Sequence, residues 1–190
     1  IGRDRPLFRS AWAREFDVRE LIAASVASGF KTDSFSRRRL IDGNSMNRYW
    51  AVMGVAQRKE ISDESRYILP HFLENDREPA AVRIAAADAL ARHGEVEKAL
   101  PTLIEMLDSE QLTTVLYAAR AIELLGDDAK PAIPAMEKAL ARAEKIRPPD
   151  TPATVVTSGD QDLAMFIGFS TRAFLSKVKQ EEEQQGAKGD

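Results

Sequence analysis

His71 and His93 are the only histidines in the chain, and cysteine is absent. Without cysteine there are no thiolate nucleophiles, disulfides or Cys-based zinc sites. The compartment stays open, since cytosolic and exported chains alike can lack cysteine. The two histidines do not form the i, i+4 pair of a helical metal site. His93 directly precedes Gly94, which puts it at a helix C-terminus, where its charge would suit the dipole. His71 follows Pro70 near a helix start, with no acid or nucleophile directly beside it. Both read as ordinary surface or capping residues. Gly159 is isolated, so no glycine-rich phosphate cradle exists. The run Glu181-Glu182-Glu183 reads as a solvated tail rather than a metal or partner site. The expectation is a chain with no catalytic residue, no cofactor and no metal.

The remaining candidates are residues that bind rather than react. Arg37-Arg38-Arg39 is the densest positive run and the best candidate for an anion-facing patch. The plainer reading is that three exposed arginines on a short helix do nothing specific. Arg48 and Arg83 either bind an anionic ligand or pair with a carboxylate or loop carbonyl of a neighbouring unit, and Arg's forked donors favour the second. Tyr49 and Trp50 either form an aromatic contact site or pack between units, the ring O–H or N–H then seeking a partner. A segment over 146–162 carries Pro148, Pro149 and Pro152, then Thr154-Val155-Val156-Thr157. It reads as a long insertion between helices, and loops held on rigid scaffolds often make the contacts. The interaction candidates are therefore Arg37, Arg38, Arg39, Tyr49, Trp50, Pro149, Val155 and Val156.

The elements that must position these residues repeat. Asn47-Arg48-Tyr49-Trp50-Ala51-Val52-Met53-Gly54-Val55-Ala56 aligns with the ten residues from Val82 to Ala91, and again with those from Val115 to Leu124. Between them lie related openings at Leu69-Pro70, Leu100-Pro101 and Ile133-Pro134, a step of roughly 31 to 33 residues that falls in the range of stacked helix pairs. Such a chain buries each unit's apolar face only against its neighbours. Ala85, Ala86, Ala87, Ala89 and Ala91 would let the second helices approach closely. Gly94 and Gly126 are expected as C′ residues ending two of these helices, and the prolines are expected near the start of the first helix of each pair.

Boundaries follow from the same pattern. Residues 1–16, with Leu7, Phe8, Trp12 and Phe16 at helical spacing, read as an N-terminal capping helix or linker. Residues 17–178 read as the solenoid, with helices from Asp17 to about Ser28 and from Ser34 to Asp42, the insertion at 146–162, and a last helix from about Gln161 to Lys179. Residues 179–190 read as a flexible, Glu/Gln-rich tail. The net charge of −3 argues against a general nucleic-acid binder, and no apolar run is long enough for a membrane span. The chain opens at Ile1 rather than Met, which suggests a fragment or processed form. Exposure of Phe8 and Trp12 by loss of a preceding domain would favour self-association.

The units resemble HEAT repeats of the short bacterial type. The residues that carry the likeness are Leu100-Pro101 and Val82-Arg83-Ile84-Ala85-Ala86-Ala87-Asp88-Ala89-Leu90. It weakens where Leu116, and then Gly168, replace the arginine. The resemblance implies an all-α fold, a right-handed α-α superhelix (a HEAT-repeat solenoid) of about four helix pairs. The helix Arg48-Tyr49-Trp50-Ala51 followed by the Val82-Arg83 helix is also similar to the HEAT tail that follows the catalytic domain of some bacterial sulfatases. That likeness implies a non-catalytic scaffold packed against an adjacent catalytic domain, periplasmic or secreted. The calcium and formylglycine of sulfatases would belong only to that missing domain, because no Ser-x-Pro-x-Arg or Ser-x-Ala-x-Arg string occurs here. Two alternatives stay open: a free-standing HEAT adaptor holding a protein partner, and a HEAT-like phycobilin lyase holding a bilin. HEAT-type DNA glycosylases are disfavoured by the acidic balance.

Overall fold

The computed structural model describes residues 40–152 and 158–186. The expected helices before Leu40 lie outside the described residues, as do Arg37, Arg38, Arg39, Val155 and Val156. Among the described residues the fold is all-helical: α1 (Ser45–Ala56), α2 (Asp63–Glu74), α3 (Ala80–Arg92), α4 (Val96–Leu107) and α5 (Leu112–Leu125), a 3-10 segment (Gly126–Ala132), then α6 (Ile133–Ile146) and α7 (Gly159–Gly186). The three aligned ten-residue stretches coincide with α1, α3 and α5.

Local chemistry fixes most ends. Asn44 caps α1, its side chain accepting from the Met46 N–H, and Ser62 caps α2 by accepting from the Ser65 N–H. Asp63 and Glu64 then place negative charge in the first turn of α2, where the dipole favours it. The α3 terminus is a Schellman motif: Glu95 N–H donates to the Leu90 carbonyl and Gly94 N–H to that of Ala91, with Gly94 at φ +85°. Gly126, at φ +59°, ends α5. Both glycines thus stand where the sequence puts helix stops.

The prolines depart from expectation. Pro134 is in the first turn of α6, but Pro70 and Pro101 lie inside α2 and α4. The start signals at Ser62-Asp63-Glu64 and around Glu95 precede them and set the helix origin. A proline inside a helix deprives the carbonyl four residues back of its donor. Here those carbonyls belong to Arg66 and Glu97, both exposed residues.

The helices form two layers. Each of α2, α4 and α6 packs on the helix that follows it (α3, α5, α7), and the second layer packs serially as α1 on α3, α3 on α5 and α5 on α7. Side chains at one repeat position, Ala51, Ala86, Ala119 and Thr171, are buried along that second layer. Their small size permits the close serial packing. α7 runs past Lys179 to Gly186, so residues 180–186, expected as frayed tail, are helical. α7 packs on the 3-10 segment. There, a hydrogen bond between the carboxyl groups of Asp127 and Glu181 lowers the Asp127 pKa and raises that of Glu181.

Candidate interaction groove

Three arginines tie successive units together. Arg48 of α1 donates through Nε and Nη2 to Glu78 Oε1, at 3.0 and 2.7 Å, and through Nη1 to the Asp42 carbonyl. Arg83 of α3 reaches the Leu73 carbonyl at the end of α2 and both oxygens of Glu105 on α4. Arg142 of α6 donates to the Leu107 and Ser109 carbonyls at the end of α4. Of the two readings of Arg48 and Arg83, the structure shows the pairing between units. The bidentate guanidinium geometry is occupied by the protein's own acceptors. Arg142 is a third such clamp that the repeat pattern does not flag.

The histidines are equally local. His71 is exposed and stacks edge-on against Tyr67, with ring centroids 5.1 Å apart. His93 is the C-cap of α3, its Nε2 lying 3.4 Å from the Val55 carbonyl. Among the described residues no group of three or more His, Asp and Glu side chains is placed to hold a metal ion.

The outward surface of the second layer is different. Across its four helices one repeat position is occupied by Tyr49, Ile84, Tyr117 and Phe169, large apolar residues in succession. Ile84 is buried, Tyr49 half-buried, and Tyr117 and Phe169 are more than half exposed. The stripe therefore dips at α3 and rises on either side. The dip is a groove of about 260 Å³ with the buried Ile84, Ala85 and Ala121 as its floor and Tyr49, Met53, Ala81 and Tyr117 around them. Burial pushes the Tyr49 phenol above its ordinary pKa, and the Tyr117 phenol adds to the shift. A second depression of about 450 Å³ continues between α5 and α7, lined by Leu116, Tyr117, Phe166, Phe169 and Ala173. Tyr117 and Arg120 line both depressions, so they form one broken channel.

Of the residues singled out from sequence, Tyr49 is a groove wall, whereas Trp50, the next residue, is not among the groove's lining. Trp50 stacks edge-on against Tyr49 at 5.4 Å, and its Nε1 is shielded from solvent without a hydrogen-bond partner. Pro149 is exposed in the segment after α6 and lies away from the groove. Sequence reasoning missed Tyr117, Leu124, Phe166 and Phe169. The available signal was phase: in α5 the buried stripe is Val115, Ala118, Ala119 and Ile122, and Tyr117 and Leu124 are apolar residues off it.

Residues 37–123 match the family model of HEAT repeats, a stretch that spans α1 to α4 and most of α5. No curated protein and no solved structure matches the chain.

Proposed function

We propose that this HEAT-repeat domain is a non-catalytic scaffold that binds a protein partner along the channel crossing α1, α3, α5 and α7. The observation that carries the reading is the uncovered apolar stripe. Tyr117, Leu124, Phe166 and Phe169 are each about half exposed, and all line or border one channel. Contiguous exposed apolar surface of this kind marks interaction sites, and stacked repeats commonly use an extended face for them. No helix among the described residues is long and apolar enough to cross a membrane, which takes lipid-spanning helices out of the explanation for the stripe.

A photo-crosslinking residue placed at Tyr117 or Phe169 should capture a protein partner in the source cells, and the same residue at Tyr67 should not. Tyr67 is a fair control, being 73% exposed on α2 of the opposite layer. Equal capture at all three positions would end the reading. A finer proposal is that the domain is the C-terminal region of a bacterial sulfatase-like hydrolase, the partner then being its catalytic domain. Its support is the order of the Arg48-Tyr49-Trp50-Ala51 and Val82-Arg83 helices. A source reading frame running upstream of Ile1 without a formylglycine motif would remove it.

A further inference from the structure

The channel that we propose as the interaction face also constrains the chemistry of what lies in it, and the following inference rests on that reading. Among the described residues, four charged side chains line the two depressions: Asp88, Arg92, Arg120 and Glu123. They form two ion pairs, Arg92 with Asp88 at 2.8 Å and Arg120 with Glu123 at 2.5 Å. The pairs are not presented evenly to solvent. The Asp88 and Glu123 side chains are 16% and 19% exposed, whereas those of Arg92 and Arg120 are 41% and 54% exposed. Arg92 gives Asp88 one N–H, from Nε, out of its five donors, and Arg120 sets Nη1 against Glu123 Oε1. An incoming group therefore meets an apolar floor with a cationic, donor-rich rim.

Backbone chemistry narrows the occupant further. The walls are helices whose backbone groups are already paired, and the fold offers no strand edge among the described residues. An extended segment laid here would carry its own N–H and C=O groups into an apolar channel without partners, which is costly. A helix satisfies its backbone internally and presents only side chains, the helix-in-groove mode of recognition. We infer that the channel takes an amphipathic helix of a protein partner, with its apolar stripe against Tyr49, Ile84, Tyr117 and Phe169 and acidic residues flanking that stripe opposite Arg92 and Arg120.

The test uses the full chain and three labelled helical peptides with one shared Leu/Phe stripe, the flanking positions being Glu, Gln or Lys. Binding is read by fluorescence anisotropy. The Glu peptide should bind about tenfold tighter than the Lys peptide, the sum expected of a few exposed charge contacts, and added salt should narrow the gap. The double variant R92E/R120E should invert the ranking, and R92Q/R120Q should flatten it. Circular dichroism checks that each variant keeps its helices. Equal affinities for all three peptides, a preference for Lys, or a ranking that ignores both double variants would overturn the inference while leaving an apolar binding channel in place. Failure of every peptide to bind would overturn the inference and the scaffold reading together.

Discussion

Arg48 shows how one side chain can hold two units in register. Its partner Glu78 has a side chain only 4% exposed and receives two guanidinium N–H groups. A carboxylate so placed depends on its cation, because a lone buried charge is heavily penalised. Replacing Arg48 with Met should cost about 3 kcal/mol of unfolding free energy in a denaturant titration. The double replacement R48M/E78L should recover much of that loss, and no recovery would mean that Arg48 acts through its Asp42 carbonyl contact instead. Glu95 acts on the same scale. The hydrogen bond from Lys98, with that from Arg66 of α2, holds its carboxyl below the usual carboxylate range despite partial burial. Its folded pKa being depressed, Glu95 stabilises fully above the ordinary glutamate pKa, and that contribution disappears as pH falls through the folded value. Thermal unfolding should therefore lose stability with acidification in that range, and Glu95→Gln should flatten the slope there. An unchanged slope would show that the cluster is too well solvated to matter.

At the scale of elements, helix identity comes from pattern, and helix position comes from caps. The alanines of α3 announce close packing, and the structure places Ala86 and Ala119 at equivalent, fully buried positions in successive helices. Ala119→Leu should therefore destabilise the chain by about 1–3 kcal/mol, the usual cost of forcing extra methylenes into a packed contact. An unshifted denaturation midpoint would mean that the second-layer helices are not closely packed there. The prolines carry the opposite lesson. Pro70 and Pro101 look like helix openings, yet Ser62 and the residues around Glu95 start those helices earlier. A proline can stand inside a helix as well as at its start, so its position bounds a helix less sharply than a capping side chain does. The end of α7 departs from expectation for a related reason. A Glu- and Gln-rich stretch reads as solvated, but Glu181 finds the 3-10 segment through Asp127.

On the scale of the whole molecule, packing among the described helices is substantial only between those that are adjacent or next-but-one in the chain. Such serial contacts are local in sequence, and this is why the architecture was readable: a repeat needs only its own period and its apolar phase to specify its neighbours. Period, alanine content, Gly94 and the Arg48 and Arg83 positions fixed the helix pairs and their order from sequence alone. The channel was not readable in that way. Tyr49, Ile84, Tyr117 and Phe169 are far apart in sequence and become a stripe only when α1, α3, α5 and α7 stand side by side. The unequal exposure within the Arg92–Asp88 and Arg120–Glu123 pairs likewise depends on which neighbour covers which side chain. Burial and exposure are properties of the assembled surface. A residue's type sets its affinity for water or apolar contact, and only packing decides which of the two it receives.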